Sequence, residues 1–179
     1  MPLVPRRTKI VATIGPASSE PAVLKQLMGA IDGARLNFSH GTHEDHRARA
    51  EAIRALQGEV GRPVALIADL ELALSIGVDY VALSFVRSAA DVRDLRRLIE
   101  QAGSRAEVIA KIEKAEAVEA LDDILAASDA IMVARGDLGV EIGVALVPLV
   151  QKRIIIAALE RGKPVITATQ MLELSLIHI

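Results

Sequence analysis

Residues 131–141 read IMVARGDLGVE. The apolar run Ile131 to Ala134 ends abruptly in Arg135, Gly136 and Asp137, with Gly139 and Glu141 close behind. A short apolar run rich in β-branched side chains and closed by glycine and charge reads as a buried strand that delivers polar groups at its C-terminal end. The segment KIE at 111–113 repeats the pattern one strand earlier. Charges at the end of a buried strand are either paired or functional. In α/β folds such groups gather at the carboxyl ends of parallel strands, where sites are built.

Outward from this stretch the chain alternates. Strand-like runs fall at 9–14, 34–38, 63–69, 80–85, 107–112, 130–134 and 164–167. Helical patterns fall at 21–30, 43–58, 89–101, 115–127 and 147–161, with charged residues interleaved at helical spacing and Gly103 and Gly162 where C-terminal caps belong. Strand and helix in alternation predict a parallel sheet with helical crossovers. Seven such strands point to an α/β fold, an incomplete (β/α)8 TIM barrel with about seven of its eight strands, since a complete barrel takes about 250 residues. Two places depart from the rhythm. Little room for a helix remains between Asp69 and Tyr80, and the terminal LSLIHI at 174–179 follows no helical pattern.

Composition narrows the function. Apolar residues make up 51% of the 179, aromatics only 2%, and net charge is −2. Aliphatic richness suits helices on parallel strands, and the near-neutral, aromatic-poor balance predicts no nucleic-acid partner. The chain has no cysteine, which excludes a disulfide framework and thiolate metal sites. No apolar run reaches membrane-spanning length, so no membrane partner and a cytoplasmic location are expected.

Residues two apart on a strand share a face. Lys111 and Glu113 therefore point the same way, and Asp137 follows the next strand so that its carboxylate can meet that of Glu113 over the same mouth. Two carboxylates with open positions suit Mg²⁺, and a lysine beside them suits an anion developing on a phosphoryl or enolate oxygen. The plainer reading is a buried Lys–Glu pair with Asp137 as a helix N-cap. Arg35, Asn37 and Ser39 alternate in RLNFSHG, a set fit for phosphate and a monovalent cation or, more plainly, for an N-capping Ser39 and a structural Asn37. His40 lacks a partner at zinc-ligand spacing. Arg135-Gly136-Asp137 spells an adhesion tripeptide, but it closes a buried strand and is set aside.

Several stretches together resemble the pyruvate kinase family. They are KIVATIGPAS (9–18), ARLNFSHGTHEDH (34–46), PVALIADL (63–70), GVDYVALSFVRSAADV (77–92), AKIEKAEA (110–117), DAIMVARGDLGVEIG (129–143), VPLVQKRII (147–155) and GKPVITATQMLE (162–173). The resemblance implies a glycolytic phosphotransferase converting phosphoenolpyruvate and ADP to pyruvate and ATP. It implies Lys111, Arg35 and Thr169 as catalytic residues, with Lys111 stabilising the transferring phosphoryl and Arg35 holding phosphate. Ala134, Arg135 and Gly136 would receive the substrate carboxylate by their backbone, joined by the Thr169 hydroxyl. Thr13 and His40, with Arg35, would approach the nucleotide. Glu113 and Asp137 would bind Mg²⁺, while Asn37, Ser39, Asp69 and the Leu70 carbonyl match the K⁺ site. Full-length members of the family are homo-oligomeric.

The departures are as specific as the likeness. After the strand-three Asp the family continues with a GPKIR-like segment and a β-rich lid domain, whereas here Asp69-Leu70 runs directly into Glu71. The expected organisation is thus 1–70 for strands 1–3, 71–173 for strands 4–7 with the lid absent between them, and 174–179 as a non-family tail. Lys114 stands where the family usually has Asn. A fragment without the lid is expected to be inactive by itself. From the residues, a metal-dependent barrel aldolase acting on pyruvate or its enolate, and a non-catalytic fragment, remain open.

Overall fold

The computed structural model describes residues 8–37, 42–69 and 76–168. Its elements are β1 (Val11–Thr13), α1 (Pro21–Ala30), β2 (Gly33–Leu36), α2 (His43–Val60), β3 (Ala65–Asp69), β4 (Tyr80–Leu83), α3 (Ala89–Gln101), β5 (Glu107–Ile112), α4 (Ala115–Glu119), α5 (Leu121–Ala127), β6 (Ala130–Val133), α6 (Arg135–Ile142), α7 (Val147–Glu160) and β7 (Val165–Thr167). Backbone contacts divide the chain into two compact units, residues 1–80 and 81–179.

In the first unit β1 pairs parallel with β2 and β2 with β3. Gly33 sits where the strands crowd, since a Cβ there would lie 3.2 Å from Val11 Cγ2 and 3.4 Å from Ile67 Cδ1. Leu24 and Met28, one turn apart on α1, and Ile53 on α2 are buried with Leu36 and Leu66 of the strands. Helix α2 starts at a reciprocal cap: Asp45 N–H donates to Thr42 Oγ1 at 3.2 Å and Thr42 N–H to Asp45 Oδ2 at 3.0 Å. It ends at Gly61, whose left-handed φ of 68° stops the helix.

In the second unit β5 pairs parallel with β6 and β6 with β7. Every residue of β6 is buried, as expected of a parallel strand covered on both faces. Helix α3 buries Ala89, Val92, Leu95 and Ile99, a single stripe at helical spacing, and turns Arg93, Asp94, Arg97 and Glu100 outward.

One device recurs at the strand starts. Asp32, Asp79 and Asp129 each immediately precede an even-numbered strand or its first residue. Asp32 accepts from Ile10 N–H at 2.9 Å and from Arg62 at 2.8 Å. Asp79 accepts from Leu66 N–H at 2.7 Å and from Arg54 at 3.1 Å. Asp129 accepts from Val108 N–H at 2.8 Å and from Arg96 at 2.8 Å. Each carboxylate fixes one guanidinium and one backbone N–H, within the preceding strand for Asp79 and Asp129 and just before β1 for Asp32, which sets register where a slip would turn every side chain over.

Three expectations need correction. The helix expected at 115–127 is two, α4 and α5, broken at Ala120, whose ψ of 19° lies outside the helical well. Helix α6 follows β6 directly, over residues for which no helix was expected. Most strands are one to three residues shorter than their apolar runs, because only residues with a neighbouring ladder partner stay in the sheet.

Candidate active site

The second unit assembles its charged cluster at the ends of β4, β5 and β6. Lys111 Nζ lies 2.6 Å from Glu113 Oε1, and their side chains are 12% and 1% exposed. The shared face expected from two-residue spacing is therefore realised as a buried ion pair. Lys111 also donates to Ser84 Oγ at 2.8 Å, and Glu113 Oε2 accepts from Phe85 N–H at 2.7 Å. Both carboxylate oxygens thus have donors, which is what a buried charge requires.

Beyond β6, Ala134 caps α6 without a side-chain hydrogen bond, so the first N–H groups of that helix, including those of Arg135, Gly136 and Asp137, have no partner in the preceding turn. Asp137 is not the N-cap of the plainer reading. It is the third residue of the helix and exposed, where a carboxylate complements the helix dipole. Arg135 Nε donates to the Ala168 carbonyl. Lys114 pairs with Glu141 at 2.5 Å and stands 5.9 Å above the Phe85 ring. Among the described residues no three His, Cys, Asp or Glu side chains gather as a metal site. A cation here would rest on the two carboxylates of Glu113 and Asp137.

In the first unit Thr13 is in register with Arg35, and Arg35 with Ile67. Thr13 is exposed at the end of β1, and Arg35 and Asn37 are half-buried along and just past β2. Asp69 is the last residue of β3. Ser39, His40, Leu70 and Thr169 lie outside the described residues. Reasoning from the sequence passed over Ser84 and Phe85. Their one signal was position, a polar residue closing the apolar run YVAL just as lysine and arginine close the runs after it.

Parallel strands alternating with helices, with a lysine, carboxylates and a helix start gathered at strand C-termini, define an α/β protein of the (β/α)8 class with an incomplete barrel. The pattern that defines the family "Pyruvate kinase, barrel domain" matches residues 5–71 and 67–178. The chain belongs to the pyruvate kinase family. It is 34% identical to a pyruvate kinase of Corynebacterium efficiens, over 94% of this chain and 59% of the relative. A Mycobacterium tuberculosis pyruvate kinase is 32% identical and one from Haemophilus influenzae 30%, at the same coverages. The chain therefore spans about three fifths of the length of the curated relatives it matches. The first alignment is 278 residues long, yet 94% of 179 residues is only about 168, so about 110 positions of the relative have no counterpart here. The two matched segments of the family pattern meet at 67–71.

Proposed function

We propose that this chain carries the phosphoryl-transfer site of a pyruvate kinase, acting on phosphoenolpyruvate and ADP in the cytoplasm. The observation that carries the reading is the Lys111–Glu113 pair, a buried ammonium held at a strand end beside an uncapped helix start. Transfer of a phosphoryl group asks little covalent work of a protein and much positioning of charge. Lys111 supplies positive charge where negative charge grows on the phosphoryl and enolate oxygens, and Arg35 holds the phosphate. The backbone from Ala134 to Gly136 receives the substrate carboxylate with the Thr169 hydroxyl, through the N–H groups of Arg135 and Gly136, because that of Ala134 already donates to the Ile112 carbonyl. Thr13 and His40 approach the nucleotide.

The donor set fits a divalent cation. Glu113 and Asp137 offer hard carboxylate oxygens, and Glu113 already holds a cation, the Lys111 ammonium, against Oε1. Mg²⁺ bound there would neutralise phosphoryl charge. Asn37, Ser39, Asp69 and the Leu70 carbonyl, all neutral or anionic oxygen donors, would hold K⁺.

The lid domain of the family is absent between Leu70 and Glu71, and with it the arginine that follows strand three. The unmatched stretch of the relatives and the meeting of the two matched segments at 67–71 support this. Closure of a lid excludes water and completes a site, and a misplacement of about 1 Å can cost on the order of 10²-fold. The 179-residue chain is therefore expected to bind Mn²⁺ and phosphoenolpyruvate and to turn over below detection. The test is a lactate-dehydrogenase-coupled assay of this chain beside a version with the lid segment inserted between Leu70 and Glu71. Activity in the second and none in the first is the expected result. Comparable turnover in both would refute the role given to the lid, and none in either, with no binding, would refute the function.

A further inference from the structure

Phe85 is the single non-glycine residue among those described with a positive φ, at 56°. Phenylalanine gains nothing locally from the left-handed region, and such outliers persist only where surrounding structure over-determines them. The ring does not provide that hold, being 61% exposed with Lys114 as its charged neighbour. The backbone does something else. Its N–H meets Glu113 Oε2 at 2.7 Å, while the preceding residue, Ser84, accepts from Lys111 Nζ at 2.8 Å. Two consecutive residues at the end of β4 thus grip the two charged members of the β5 pair, one each.

We propose that Ser84-Phe85 is a positioning element for Lys111 and Glu113. The left-handed turn at Phe85 aims a backbone N–H at the carboxylate, and the Ser84 hydroxyl fixes the ammonium. What matters at position 85 is the sign of φ, not the aromatic ring. The idea rests on the proposed roles of Lys111 and Glu113, yet its geometry is independent of turnover. A carboxylate held by a neutral N–H on one oxygen keeps its plane fixed while the other oxygen exchanges partners. The backbone anchor is therefore the part that stays when a substrate or metal draws Lys111 away.

The experiment uses the 179-residue chain and its variants Phe85→Gly, Phe85→Asn, Phe85→Val and Ser84→Ala. All three substitutions at 85 remove the ring, but glycine and asparagine tolerate positive φ and valine does not. Lys111 acetylation by a water-soluble acetyl ester, followed by mass spectrometry, reads how firmly the ammonium is held. Lys163, bound to the Ser128 carbonyl at 2.5 Å, is the reference for general loosening.

The expected result is labelling of Lys111 at the wild-type rate in the glycine and asparagine variants and about tenfold faster in the valine variant, with Lys163 unchanged. Ser84→Ala should raise Lys111 labelling about three- to tenfold, the range of one ordinary hydrogen bond. Equal acceleration by glycine and valine would assign the role to the ring and overturn the proposal. So would an unchanged rate in all four variants. If the valine variant unfolds and exposes Lys163 as well, Ser84→Ala and Phe85→Asn decide between the same outcomes. Mn²⁺ binding, read by electron paramagnetic resonance on the same samples, keeps the two ideas apart. A wild-type chain that binds no Mn²⁺ but keeps the labelling order loses the metal reading and retains the positioning element.

Discussion

Substitution of Lys111 by methionine removes one partner of a buried pair, and its cost can be worked from the geometry. Opposite charges 2.6 Å apart attract with about 6 kcal/mol at an effective dielectric of about 20. Desolvation of each ion opposes this by several kcal/mol, so the intact pair adds little net stability. Removing Lys111 leaves the Glu113 carboxylate, 1% exposed, with the Phe85 N–H as its remaining donor among the described residues, and should cost about 3 kcal/mol. With a urea dependence of about 2 kcal/mol per molar, the unfolding midpoint should fall by about 1.5 M. Glu113→Gln leaves a lysine that is 12% exposed and still bound to Ser84, so its fall should be smaller, about 1 M. The double substitution Lys111→Met with Glu113→Gln removes both charges and keeps an oxygen for the Phe85 N–H. It should recover to within about 1 kcal/mol of the parent. Urea titration followed by far-ultraviolet circular dichroism measures all four corners of this cycle. A midpoint for Lys111→Met within about 0.3 M of the parent, or a double variant less stable than the single one, would refute the buried-pair description.

Other outcomes follow from the same structure. The Asp91 carboxyl is held below the usual carboxylate range, chiefly by the Arg87 N–H donating to it at 2.8 Å, with Ser88 N–H at 2.9 Å. A carboxyl lowered in the folded state contributes stability that is whole above its unfolded pKa, about 3.9, and is lost as pH falls through the lower folded value. Asp91→Ala should therefore cost about 1 kcal/mol at pH 7, and the difference should shrink in urea titrations carried below about pH 4. Asp129→Ala removes the acceptor of both Val108 N–H and Arg96, and should cost about 2 kcal/mol, with faster hydrogen exchange at Val108 before any other strand amide. Lys114→Asn breaks a pair whose members are 26% and 29% exposed and should change stability by under about 1 kcal/mol, less still in 1 M salt, by the same urea midpoint.

The face shared by Lys111 and Glu113 was legible because a strand has a two-residue period, and apolar runs marked where strands fall. The plainer alternative was also half right, since the two side chains form a buried ion pair. Asp137 was misplaced as a cap because ARGD carries loop-like residues. The helix begins at Arg135 with Ala134 as its cap, and alanine gives no capping signal. The break at Ala120 was invisible for a like reason, lying in a stretch with neither glycine nor proline. The grip of Ser84 and Phe85 was beyond sequence reasoning altogether. It depends on a backbone angle that phenylalanine does not favour and on a contact across 28 residues of chain.

The carboxylate of Asp79 gives the shortened segment a particular meaning. Leu66, whose N–H it accepts, precedes the 67–71 overlap of the two family segments, and Asp79 follows it. The clasp therefore joins the two flanks of the point where the matched segments meet and where the first relative has about 110 positions without a counterpart here. A graft can be cut away at such a point without loosening the suture beneath it, because the stitch runs from stem to stem and never passes through the graft. A stretch inserted at 67–71 could come or go with that bond intact, because Asp79 and Leu66 belong to the two flanks and neither lies in the inserted part.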